Sequence, residues 1–160
     1  MSQNRHNREL TGVSKRLFSV DDANAMLPLV RAIAVDLVEL SRAVIDRRQR
    51  MTLLTGGRDI DGEDPYSQEL AQVQREIEQD VGVLQGYVEE LRQLGVEPRD
   101  ASEGIIDFPA LLDGRDVHLC WKYDEAEVCH WHEVGAGFAG RQPLFAGIAA
   151  DADEEGVGRY

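Results

Sequence analysis

Two stretches of the chain repeat apolar residues at intervals of three and four. The first runs Val30, Ile33, Leu37, Leu40, Val44, Met51 and Leu54, with Arg47 filling the one gap in the series. The second runs Tyr66, Leu70, Val73, Ile77, Val81, Leu84, Tyr87, Leu91 and Leu94. This spacing is close to 3.5 residues per repeat and predicts two amphipathic helices with a coiled-coil-like seam. Ser19 offers a cap for the first helix, and Asp21 and Asp22 put negative charge in its first turn, where the helix dipole favours it. Phe18 precedes the cap and is placed to staple back onto the helix. Pro28 cannot donate a backbone hydrogen bond, so it predicts either a kink or the start of a second segment. Gly95 and Pro98 mark the end of the second helix.

The stretch from Thr55 to Pro65 is rich in Gly and Asp and joins the two helices as an antiparallel hairpin. Asp59, Asp61 and Asp64 lack the spacing and terminal Glu of an EF-hand loop, which makes the stretch a solvated turn. Gly82 and Gly86 weaken the second helix unless they permit another backbone to come close.

Beyond Ala101 the period changes to two. Ile105 to Pro109 reads as a short extended run stopped by proline. Asp113-Gly114 is a turn pair. Val117 to Tyr123 and Val128 to Val134 read as strands joined by Asp124 to Glu127. The expected fold is therefore α+β, with a long antiparallel α-helical hairpin (19–95) and a small antiparallel β-sheet (104–134) packed on it. A Gly-rich loop (135–145) completes a single domain over 17–145. Residues 1–16 and 146–160 are expected to be disordered tails, the second acidic.

The register of the last hairpin has two solutions. An odd loop, for example Asp124 to Ala126, puts Val117, Leu119, Trp121 and Tyr123 on one face with Cys129 and Trp131. His118, Cys120, Lys122, Val128, His130 and His132 then share the other. A two-residue loop, Asp124-Glu125, would set Cys120 opposite Cys129 and mix polar and apolar side chains on both faces. The odd loop sorts polarity better and is preferred.

Composition narrows the function. The net charge of −13 argues against a nucleic-acid partner, since phosphate binding needs clustered basic residues. No apolar run reaches the ~20 residues that span a bilayer, and the first residues lack a secretory signal. A cytoplasmic protein without membrane contact is expected, with its two cysteines as thiols. Two helices alone cannot enclose a core, so their remaining apolar surface must meet the C-terminal part of the chain, a second copy, or both; a homodimer packed as a four-helix bundle is expected, the alternatives being helices that pack only on the sheet of their own chain and a further protein partner.

Most of the chemistry-bearing side chains fall between Val117 and Glu133. In the preferred register His118, Cys120, His130 and His132 converge, a donor set suited to zinc or another transition metal. The reading preferred to a metal site is a buried thiol beside surface histidines. Cys120 beside His132 also has the makings of a thiolate–imidazolium nucleophile.

A series of short motifs adds a resemblance. Phe-Ser-Val-Asp-Asp-Ala-Asn-Ala-Met-Leu-Pro (18–28), Leu-Gly-Val-Glu-Pro-Arg-Asp (94–100), Ile-Asp-Phe-Pro-Ala (106–110) and Asp-Gly-Arg (113–115) occur in order. They are followed by Leu-Cys-Trp (119–121), Trp-His-Glu (131–133) and Gly-Phe-Ala-Gly-Arg-Gln-Pro (137–143). Together they resemble the bacterial family catalogued as domain of unknown function 2203. The resemblance implies a small cytoplasmic protein with a helical hairpin and a short sheet. It brings no activity or cofactor. Its pattern includes Cys120, Trp121, Trp131 and His132 but not His118, Cys129 or His130. The candidate pocket residues are thus Cys120, His132, Asp107, Arg115 and Arg141, with Asp107 and either arginine also able to form a structural ion pair. The leading expectation is a non-catalytic, self-associating or partner-binding protein. The alternative is a metal-binding or thiol-dependent site at Cys120 and His132.

Overall fold

The computed structural model describes residues 16–58 and 62–144. Residues 1–15 and 146–160 of the expected tails, and Asp59 and Asp61 of the helix connection, lie outside the described residues, whereas Arg16 is described and lies over the Phe18 ring at 4.6 Å. The elements are α1 (Val20–Thr55), α2 (Pro65–Gln93), β1 (Glu97–Asp100), β2 (Ile105–Leu112), β3 (Arg115–Lys122), β4 (His130–Glu133) and β5 (Gln142–Pro143), with one 3-10 turn at Phe138–Gly140. The class is α+β, as the two periodicities predict.

The helix starts follow their caps. Ser19 Oγ accepts the Asp22 amide at 3.0 Å, and Asp22 Oδ2 accepts the Ser19 amide at 3.3 Å, closing a capping box. The Asp22 carboxyl is held below its ordinary value, chiefly by that hydrogen bond from the Ser19 backbone. Phe18 is buried and packs edge-on against Phe108 of β2, at 5.3 Å between ring centroids. α1 runs through Pro28 as one helix of 36 residues. α2 takes Asp64 as its cap and ends at Gly95, whose positive φ lets the chain turn into β1.

The sheet has the order β1-β2-β3-β4-β5, all pairs antiparallel. β2 and β3 meet in a two-residue turn at Asp113 and Gly114, both with positive φ, the geometry that matches strand twist. β3 and β4 pair His118 with His132 and Cys120 with His130, which is the register of the odd loop. The connection itself is longer than expected, spanning 123–129.

Two further expectations need correction. Pro109 does not stop β2, which continues to Leu112. The missing donor of Pro109 falls where β1 has already ended, and its carbonyl there accepts the Phe18 amide at 2.7 Å. β1 and β5 were not expected, because neither carries an apolar alternation.

One face of the sheet meets the helices. Ile106, Phe108, Ala110, Val117, Leu119 and Trp121 join Leu27, Val30, Ala34, Leu37 and Leu91 in one core. Val44, Met51, Leu70 and Ile77 form a second cluster, farther along the hairpin. Arg47, the gap in the first heptad series, is filled by an ion pair to Asp80 across the hairpin.

Candidate functional site

Alternation sends Asp107, Cys120, His118, His130 and His132 to the sheet face turned away from the helices. Such a face ordinarily contacts water. Here Asp107, Cys120, His118 and His132 are all buried, Asp107 to 1% exposure. Asp107 lies opposite Cys120 across β2 and β3, and His118 lies opposite His132 across β3 and β4. The long side chains reach diagonally between these two rows.

Asp107 is the hub of the cluster. Its Oδ1 lies 3.0 Å from His132 Nε2. Its Oδ2 accepts from Arg99 Nε at 2.8 Å and lies 3.5 Å from His118 Nδ1. The rings of His118 and His132 meet edge to face, with centroids 5.4 Å apart. His132 Nδ1 lies 2.8 Å from the Glu133 carbonyl oxygen. A carbonyl can only accept, so Nδ1 carries the proton and Nε2 is the atom offered to Asp107. Cys120 is fully buried, and its pKa rises to about 12. Burial is the main cause. The Asp107 charge and a hydrogen bond to it add to the rise, and Arg141 opposes it.

The other expected residues are distributed around this cluster. Arg141 donates to Glu125 Oε1 at 2.7 Å and packs over the Phe138 ring at 4.2 Å. His130 turns towards Glu125, with Nδ1 3.3 Å from Oε2. Arg115 pairs with Glu133 at 3.1 Å on the exposed rim. Neither arginine expected to hold Asp107 does so. That role belongs to Arg99, which the sequence reading passed over because a β-bulge between Pro98 and Asp100 is what aims it. Its only signal was its place in the 94–100 motif. Glu125 was also missed. It lies in the connection read as a linker, yet its side chain accepts the Lys122 amide at 2.8 Å as well as Arg141.

The segment around Glu125 is fastened to α1. Arg31 donates to the carbonyls of Glu125 at 2.9 Å and Ala126 at 3.0 Å, and Asn24 Oδ1 accepts the Val128 amide at 2.8 Å. Trp121 Nε1 donates to the same Glu125 carbonyl at 3.0 Å. The motif residues Asn24, Arg99, Asp107, Cys120, Trp121, His132 and Arg141 thus converge on the sheet and its edges.

A family model for uncharacterised conserved proteins, DUF2203, matches residues 16–144. The chain belongs to the DUF2203 family. The match takes in both helices and all five strands. No curated protein and no solved structure matches the chain. Among the described residues no helix is long and apolar enough to cross a membrane.

Proposed function

We propose that this DUF2203 protein is a non-catalytic cytoplasmic protein that self-associates through the outer half of its helical hairpin. The supporting observation is how the cores divide. The sheet covers the hairpin only near its base, where Phe18 to Leu37 and Leu84 to Leu94 join the main core. Farther out, Val44, Met51, Leu70 and Ile77 are enclosed by two helices alone. The same outer half leaves Leu53 84% and Leu54 60% exposed, with Ile45, Tyr66 and Val83 also exposed. Exposed apolar side chains on both helices of such an arm suit a second arm packed about a two-fold axis. A different protein of similar helical character is the other occupant.

The thiol reading is not favoured. A nucleophilic cysteine needs a depressed pKa, whereas Cys120 is pushed the other way.

Light scattering across a wide concentration range tests the reading. The full chain is expected at twice its monomer mass, and Ile45→Glu with Leu53→Glu at the monomer mass with unchanged helicity. A monomer at every concentration would overturn self-association.

A further inference from the structure

We infer that Asp107, Cys120 and His132 form a buried site for one divalent transition-metal ion, of which zinc is the best match. The inference is independent of self-association and rests on the far face of the sheet.

Donor geometry comes first. One carboxylate oxygen, one sulfur and one ring nitrogen from three neighbouring strands all lie within 4.8 Å of one another. Ligand atoms around a tetrahedral zinc ion, with bonds of about 2.0–2.3 Å, sit roughly 3.3–3.8 Å apart. Side-chain rotations of about an ångström close that difference. His118 and His130 fall outside this group. His118 borders it, through its approach to Asp107 Oδ2 and its edge contact with His132. The site therefore has three protein ligands, with His118 as their neighbour.

Hydrogen-bond chemistry supplies a second, separate observation. His132 donates through Nδ1 to the Glu133 carbonyl, which leaves the Nε2 lone pair aimed at a carboxylate oxygen 3.0 Å away. A proton on Nε2 would make this contact an ordinary hydrogen bond, and with Nε2 unprotonated the two facing lone pairs are arranged to share a metal ion. A metal-ligating histidine commonly has this arrangement, one nitrogen tied to a backbone carbonyl and the other free to coordinate. A proton on Nε2 is the competing solution.

The donor types select the ion. Thiolate and imidazole suit zinc and its neighbours, whereas magnesium and calcium take oxygen ligands. Charge closes as well. On binding, the Cys120 S–H bond breaks, the sulfur electron pair goes to the metal and the proton passes to solvent. A divalent ion with carboxylate, thiolate and neutral imidazole then leaves the buried centre uncharged. Arg99, with 48% of its side chain exposed, can keep its contact with Asp107 Oδ2 or turn to water.

The test is a cobalt(II) titration of the full chain after chelator treatment, followed by zinc competition. The expected result is one cobalt per chain, with a thiolate-to-cobalt charge-transfer band that zinc displaces. Cys120→Ala should abolish the band, and His132→Gln should weaken zinc at least tenfold. His118→Gln should retain the band. Circular dichroism checks the fold of each variant. Cys120→Ala exchanges one small buried side chain for another, so it remains readable even if His132→Gln unfolds. Absence of the band in the unaltered protein, or its persistence in Cys120→Ala, would overturn the site. The first of those results would leave a proton between His132 and Asp107.

Discussion

Removal of the Asp107 carboxylate is the sharpest perturbation of the buried face. Asp107→Ala withdraws the carboxylate that accepts from Arg99 and faces His132 Nε2 at 3.0 Å, with His118 Nδ1 3.5 Å away. The Arg99 contribution is small, because its half-exposed guanidinium can turn to water, and such pairs contribute about 0–1 kcal/mol. The His132 imidazole is buried and cannot do the same. Leaving a buried polar group without its partner costs about 1–3 kcal/mol. Asp107→Ala is thus expected to destabilise by roughly 2 kcal/mol, a large part of the ~5–15 kcal/mol that holds a domain together. Asp107→Asn differs in kind. Its amide keeps the shape, donates to His132 Nε2 and offers an oxygen to Arg99, so its expected cost is about 1 kcal/mol. Urea unfolding with chelator present, followed by circular dichroism, measures both. Equal costs for the two variants, or a cost below about 1 kcal/mol for Asp107→Ala, would refute the view of Asp107 as the organising acceptor.

Three more predictions concern single positions. Gly104 has φ +67, and an added Cβ would lie 2.6 Å from the Tyr123 ring, whereas Gly114 has φ +74 with nothing within 4 Å. Gly104→Ala should cost about 2–4 kcal/mol in urea unfolding and Gly114→Ala about 1 kcal/mol; similar values would show that the Tyr123 contact is not tight. Cys120 has its folded pKa raised from 9.0 to about 12, so its contribution is complete below pH 9 and is lost as pH rises towards 12. Stability should fall above pH 9 in the unaltered protein and fall less in Cys120→Ala. With metal removed, alkylation of Cys120 at neutral pH should be slow and require denaturant; rapid labelling of the native chain would contradict its burial.

The parts of the fold legible in the sequence are those whose own residues carry the period. Val30 to Met51 and Leu70 to Leu91 mark the helix seams because helical spacing must bury one stripe. Val117, Leu119 and Trp121 mark β3 because one strand face must meet the core. The β3–β4 register followed from the same sorting of polarity. β1 and β5 were not legible. Glu97–Asp100 carries no apolar alternation and Gln142–Pro143 is only two residues long, so both are strands by virtue of a neighbour's free edge. The site divides in the same way. Cys120 and His132 could be placed together from alternation alone, and Asp107 came from the motif. Arg99 depends on a bulge and Glu125 on a folded-back connection, neither of which has a periodic signal.

The division of the protein into two clusters bears on how the two proposals can fail. Val44, Met51, Leu70 and Ile77 do not belong to the core that contains Trp121 and Phe108. Substitutions at Ile45 or Leu53 are therefore remote from Asp107, Cys120 and His132, and distant sites with no shared partners act nearly additively. The buried face raises a separate question, because apolar side chains at Asp107 and His132 would pack there without a desolvation cost. Polar groups in such a place are stable only when every donor and acceptor is matched. The Arg99 guanidinium matches Asp107 Oδ2, and the Glu133 carbonyl matches His132 Nδ1. The 3.0 Å contact between Asp107 Oδ1 and His132 Nε2 is matched by a proton or, on the proposal above, by a metal ion. Metal binding and proton binding at that contact predict opposite results for cobalt, so the chemistry of the sheet can be decided whatever the arm binds.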